Sequence, residues 1–172
     1  MESLQQRKSN RLERYDYGQS GFYFITICTK DMSKLFGIIP YSVGADIIRP
    51  QLSAIGEIVK NAIDKISHVY PSVTVDCYII MPNHIHMILI ITNNGRIISA
   101  PTTPKIITVP KIVGYFKQYV SRTLGFSPWQ KSYHDRIIRD EVEYNRIAQY
   151  IENNPINWEK DCFYPTKPEK NQ

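Results

Sequence analysis

Two apolar runs separated by three residues constrain this chain more than any other feature. Residues 73–80 read VTVDCYII and residues 84–92 read HIHMILIIT, with Met81-Pro82-Asn83 between them. Runs this rich in β-branched and aromatic residues predict strands. The Pro82 break ends the first strand and the second resumes at His84, because proline cannot donate to a strand ladder. Apolar character that is nearly continuous predicts central strands covered on at least one face.

The remaining elements follow from periodicity. Residues 22–29 (FYFITICT) predict another strand, and 30–52, with Gly37, Pro40, Gly44 and Pro50, a loop with room for a short hairpin. Ile55, Ile58, Val59, Ala62, Ile63 and Ile66 recur at helical spacing. After a Gly/Pro/Thr-rich loop over 93–107, a helix is expected from about Val109, with Thr108 as cap and Pro110 in its first turn. Ile112, Val113, Phe116, Val120 and Leu124 form its apolar stripe. Residues 134–139 (HDRIIR) read as a short strand. Asp140 caps a last helix from Glu141 to about Asn153, which Pro155 stops. The order β-α-β-β-α-β-α predicts an α+β domain, ferredoxin-like, with an antiparallel sheet and the helices packed on one side of it. The expected organisation is a basic arm over 1–20, one domain over 21–160 and a polar tail over 161–172.

At 172 residues the chain has a core of useful size within reach. Its net charge of +5 fits a polyanionic partner without requiring one. Cys28, Cys77 and Cys162 lie far apart with no CxxC pair, which argues against a disulfide framework or zinc knuckle and for a reducing cytoplasm. No apolar run is long enough to span a membrane, and the polar N-terminus does not read as a signal peptide.

His84 and His86 flank Ile85 on one strand. Side chains alternate faces, so both imidazoles project to the same side, roughly 6 to 7 Å apart at Cα. Two ring nitrogens can then converge on one cation, which needs a third ligand from elsewhere in the chain. The histidine-triad pattern HxHxH is excluded, because its third position holds Ile88. In the last helix Tyr144, Ile147, Ala148 and Ile151 share one face. Tyr150 sits on its flank, and Asn154, an oxygen donor, lies one turn on. A cation between two imidazoles and an amide oxygen would neutralise a phosphodiester beside a tyrosine nucleophile. Mixed N/O ligation suits Mg²⁺ or Mn²⁺.

These residues resemble a known family. The run Met81-Pro82-Asn83-His84-Ile85-His86 is similar to the histidine-hydrophobe-histidine motif of single-tyrosine HUH transposases, in particular the REP-associated tyrosine transposases. Segments 11–17 (RLERYDY), 22–26 (FYFIT), 129–139 (WQKSYHDRIIR) and 150–155 (YIENNP) agree as well, in the expected order. The resemblance covers roughly residues 7–160 and implies an HUH-endonuclease fold. It implies Tyr150 as nucleophile, ahead of its rivals Tyr115 and Tyr119, and His84 and His86 as metal ligands. Asn154 matches a third, amide-bearing ligand, which is a glutamine in related insertion-sequence enzymes.

The implied substrate is single-stranded DNA carrying a foldback hairpin, cut beside the stem to leave a 5′-phosphotyrosine and a free 3′-OH. Arg7, Lys8, Arg11 and Arg14 become candidates for gripping the hairpin. Lys111, Lys117, Arg122, Lys131, Arg136 and Arg139 become candidates for phosphate contacts. The implied setting is the bacterial cytoplasm at the nucleoid, with the protein acting as a monomer or homodimer. A hairpin-binding protein without useful catalysis is the alternative from a different class.

Overall fold

The computed structural model describes residues 16–40, 49–92 and 107–165. Arg7, Lys8, Arg11 and Arg14 lie outside the described residues. Four strands form the main sheet: β1 (Gly21–Cys28), β4 (Val73–Ile80), β5 (His84–Ile91) and β6 (His134–Ile138). Two short strands, β2 (Gly37–Ile38) and β3 (Gln51–Leu52), pair as a separate hairpin in the expected loop. The helices are α1 (Ala54–Asp64), α2 (Ile66–Val69), α3 (Val109–Leu124) and α4 (Glu141–Asn153). The sheet order is β4-β5-β1-β6 with every pair antiparallel. This is the ferredoxin-like order, with the first and third of the four long strands at the centre.

Strand alternation divides the sheet into two unlike faces. Tyr23, Ile25 and Ile27 of β1 and Ile85, Met87, Leu89 and Ile91 of β5 join Val59 and Ile63 of α1 and Ile112, Phe116 and Val120 of α3 in the main core. The opposite residues of β5 include His84, His86 and Ile88. Ile88 packs with Ile138, Ile147 and Ile151 in a second, smaller cluster. The expectation of helices on one side is therefore corrected: α1 and α3 cover one face, and α4 covers the other. The apolar stripe of α4 includes Tyr144, Ile147, Ala148 and Ile151, and Ile88 supplies its fully buried counterpart.

An irregularity in β4 completes this second face. The β4–β5 register shifts between Val75 and Tyr78. An inserted residue reverses the alternation beyond it. Cys77 and Ile79 consequently pack towards α4, whereas Val75 and Tyr78 stay with the main core.

Local chemistry explains the ends of the helices. Ser53 Oγ accepts from Gly56 N at 3.0 Å and caps α1. Gly56 itself is required by close approach, since a Cβ there would meet Phe36 O at 2.1 Å. Asp140 Oδ1 accepts from Glu143 N at 2.7 Å, as the sequence predicts for α4. Thr108 occupies the N-cap position of α3, but its side chain makes no cap hydrogen bond. Pro110 lies in that first turn as expected, where its missing N–H costs nothing.

Because Ile88 is the fully buried floor beneath Ile147 and Ile151, Ile88→Ala should lower stability by about 2–5 kcal/mol, the range for large-to-small core substitutions. Urea unfolding followed by circular dichroism measures this as a reduced midpoint at unchanged slope.

Candidate active site

The Met81-Pro82-Asn83 break is built as a rigid corner. Met81 N donates to His84 O at 2.8 Å, and Phe36 N donates to Pro82 O at 3.0 Å. Asn83 O accepts from both the backbone N–H and the hydroxyl of Thr29, at 2.9 and 3.0 Å. The Asn83 side-chain Nδ2 donates to Phe163 O at 2.8 Å and Met32 O at 3.3 Å. That fixes the amide orientation, so Asn83 Oδ1 faces His84 Nδ1 at 2.9 Å. An amide oxygen only accepts, so the proton of His84 sits on Nδ1 and the lone pair on Nε2.

His86 is oriented from across the sheet. Its β1 register partner is Thr26, and its Nδ1 lies 2.8 Å from Thr26 Oγ1. The two imidazoles project to the same face with ring centroids 4.5 Å apart. Both are fully buried. Burial pushes the pKa of His84 down to about 3. Burial, reinforced by the neighbouring His84, holds His86 well below its usual value. Both rings are thereby kept neutral, the form that coordinates a metal.

Tyr150 reaches this pair from α4. Its hydroxyl lies 3.3 Å from His86 Nε2 and donates to Asp161 Oδ2 at 3.1 Å. The ring stands edge-on to Phe24, at 6.2 Å between centroids. Tyr150 remains 41% exposed, so solvent and a large substrate have access to it. Burial of the phenol, then the charge of Asp161, raises its pKa well above the ordinary range. The resting phenol is thus held protonated.

Asn154 follows Tyr150 by one turn and is buried. Its Nδ2 donates to Asp161 Oδ2 at 2.6 Å. Asn154 Oδ1 and His84 Nε2 are both buried without a hydrogen-bond partner among the described residues. Leaving such an acceptor bare costs about 1–3 kcal/mol. Ligand atoms of His84, His86 and Asp161 also lie within 4.8 Å of one another. Bare acceptors beside a carboxylate and a neutral imidazole pair are a donor set suited to a divalent cation, with nitrogen and oxygen ligands mixed.

Asp161 is the functional residue that sequence reasoning misses. It was expected at the head of a polar tail, but Asp161 and Phe163 pack into the site. Asp161 Oδ1 accepts from Phe163 N at 2.7 Å, and the Phe163 ring lies 4.7 Å from His84. Nothing periodic marks a single acid after a helix has ended.

The other expected residues divide by face. Tyr115 and Tyr119 stack on each other on α3, beside Tyr70 and Lys65, and do not approach the histidine pair. Lys117 donates from Nζ to Gln130 O and Ser132 O, both at 2.9 Å. It ties the segment before β6 to α3, and burial lowers its pKa to about 8. Two of its three donor hydrogens are thus engaged by backbone carbonyls. Lys111 and Arg122 are exposed on α3, the helix covering the face away from the histidines, and Lys131 is exposed before β6. Arg136 alone among these lies on the histidine face, opposite Phe24 in register, and Arg139 is exposed at the end of β6. Trp129 is a core anchor, buried between Phe36 and Phe116.

A family model described as transposase IS200-like matches residues 50–154, which holds the histidine pair, Tyr150 and Asn154. The chain belongs to the IS200-like transposase family. That family membership makes it one of the DNA-cutting transposases. An uncharacterized protein of Haemophilus influenzae is 37% identical over 176 residues, spanning 94% of each chain. Among solved structures, a REP-associated tyrosine transposase bound to a REP hairpin superposes with a TM-score of 0.60. It is 18% identical and is covered to 74% by 86% of this chain, so it shares the fold. A transposase-like structure from Deinococcus radiodurans is also 18% identical, covering 83% of this chain and 95% of its own, with a TM-score of 0.46. No described helix of this family member is long and apolar enough to cross a membrane.

The buried neutral histidines set an acid limit. The folded pKa of His84 lies below its unfolded value of 6.5, so the unfolded chain binds more protons between that value and about 3. The contribution of His84 to stability is complete above pH 6.5 and is lost as pH falls through this window. In chelator, thermal melts from pH 7.5 to 4.5 should show a steep acid limb that His84→Asn makes shallower.

Proposed function

We propose that the chain is a metal-dependent endonuclease and transesterase for single-stranded DNA, cutting and rejoining it beside hairpins. The observation that carries this reading is the meeting of the Tyr150 hydroxyl with His86 Nε2 at 3.3 Å, next to the bare Nε2 of His84 and Oδ1 of Asn154. His84 and His86 are the metal ligands in this reading, joined by Asn154 Oδ1 or the carboxylate of Asp161. A cation held there, Mg²⁺ or Mn²⁺, would neutralise the scissile phosphate and lower the cost of releasing O3′.

The chain's own residues perform the rest. Phe24 and the α4 backbone hold the Tyr150 ring, so the nucleophile needs little further ordering. Its oxygen attacks phosphorus, the P–O3′ bond breaks, and O3′ leaves as an alkoxide that takes a proton from solvent water to give the 3′-OH. The phenol proton has Asp161 Oδ2 as its nearest acceptor, along the hydrogen bond already formed. The 5′-phosphotyrosine retains the phosphodiester bond energy, and attack by a 3′-OH on it rejoins DNA without ATP. Within this reading residues 1–20 are a basic arm for the hairpin, and the catalytic unit runs from residue 21 through Asp161.

Incubation with hairpin-bearing single strands and Mn²⁺ or Mg²⁺ should produce a covalent protein–DNA adduct that survives boiling in detergent. Tyr150→Phe should reduce the adduct to background while still binding the hairpin. Equal adduct from Tyr150→Phe would remove the nucleophile assignment. Hairpin binding without cleavage in either metal would favour a purely binding protein.

A further inference from the structure

One charged cluster beside the site has no part in the chemistry above. Glu143, in the first turn of α4, is almost buried, yet its carboxylate is shared by three partners. Oε2 accepts from Arg139 N at 3.0 Å. Oε1 receives Arg136 through Nε at 2.6 Å and Nη2 at 2.5 Å. Arg146 Nη2 lies 3.9 Å from the same oxygen. Two guanidiniums from different elements, one on β6 and one on α4, therefore converge on one carboxylate oxygen and leave a net charge of +1.

Arg136 is held but not covered, and Arg146 lies exposed beside it. The side chain of Arg136 is 57% exposed and that of Arg146 is 67% exposed. The contacts to Glu143 occupy Nε and Nη2 of Arg136, so its other N–H groups are directed away from the carboxylate. An exposed pair at 3.9 Å does next to nothing for stability. The two short contacts fix the direction of the Arg136 fork, and Arg146 adds a second exposed guanidinium beside it, a pairing suited to phosphate oxygens.

Its position relative to Tyr150 supplies the ligand. Arg146 precedes Tyr150 by four residues, placing it on the same flank about 6 Å along the helix axis. Both line one groove of about 450 Å³, along with Gln149, Asn153 and Asp161. Arg136 stands opposite Phe24 in register, and Phe24 packs against Tyr150. An extended strand whose scissile phosphate lies at the tyrosine hydroxyl would carry a neighbouring phosphate to this cluster.

We propose that Arg136, oriented by Glu143, and the neighbouring Arg146 form a clamp for a backbone phosphate adjacent to the scissile one. The clamp positions the single strand along α4 without reading its bases. It rests on the reading of Tyr150 as nucleophile for its register, but its charge contribution to binding does not depend on turnover.

The test uses the full chain carrying Tyr150→Phe and a synthetic hairpin oligonucleotide with a single-stranded flank, titrated at several salt concentrations. Arg146→Gln, added to that background, should weaken binding about three- to fivefold, the scale of one exposed charge pair. It should reduce the magnitude of the log K against log salt slope by about 0.7, the value for one phosphate on a single strand. Arg136→Gln should do the same, and the double variant should weaken binding further, because it leaves the Glu143 carboxylate unpaired beside the phosphate. Arg146→Lys should restore the slope.

Placing a neutral methylphosphonate at each flank position in turn should reveal one site that weakens the parent and leaves Arg146→Gln unaffected. That site should neighbour the cut mapped with the tyrosine-bearing protein. Unchanged slopes in both arginine variants, or a sensitive site away from the cut, would overturn the clamp. A changed slope with no adduct from the tyrosine-bearing protein would overturn the nuclease reading and its register while leaving the phosphate contact. Absence of any binding would overturn both.

Discussion

The hydrogen bond between His84 Nδ1 and Asn83 Oδ1 governs how the rest of the site is arranged. Asn83 can turn its oxygen to the ring only because Met32 O and Phe163 O take its amide hydrogens. The Met32 carbonyl comes from a turn where Asp31 and Met32 both adopt positive φ, a conformation costly for residues other than glycine. With the proton fixed on Nδ1, the lone pair of Nε2 is directed into a space otherwise bounded by acceptors. A site of bare acceptors and neutral imidazoles is costly by itself and becomes favourable when a cation enters.

For the proposed chemistry, Tyr150 must reach the buried pair and still meet a polymer. Placing α4 on the face opposite α1 and α3 meets both demands. Ile88, Ile147 and Ile151 anchor the helix, while Tyr150, on its flank, keeps its hydroxyl at His86 and part of its ring in solvent. The larger core lies on the other face, so the site can carry unpaired polar atoms without sitting in the packing on which folding mostly depends. The same division explains why Tyr115 and Tyr119, equally suitable chemically, belong to the wrong side of the sheet.

Much of this was legible in the chain itself. The VTVDCYII–MPN–HIHMILIIT pattern predicts two strands and a break, and period-2 alternation puts both histidines on one face. Helical phase separates Tyr150 from the stripe of Ile147 and Ile151. The face that α4 would cover was not legible, because residues on both sides of β5 are apolar and the inserted residue in β4 has no sequence mark. Asp161 was hidden for a related reason: a lone acid beyond a helix has no period, and only tertiary folding returns it to Tyr150. Lys117 read as a surface cation because its two carbonyl partners belong to a distant loop. Charge alone cannot distinguish a tether from a phosphate contact, whereas the bonds from Arg136 to Glu143 mark an oriented guanidinium.

The central claim is that the histidine pair holds a divalent cation next to the Tyr150 hydroxyl. Diffraction from crystals grown with Mn²⁺, recorded where manganese scatters anomalously, locates that ion directly. The account predicts one strong anomalous peak within coordination distance of Nε2 of both His84 and His86, with an oxygen of Asn154 or Asp161 completing the protein ligands. Manganese found only at other positions, with neither Nε2 coordinated, would contradict it.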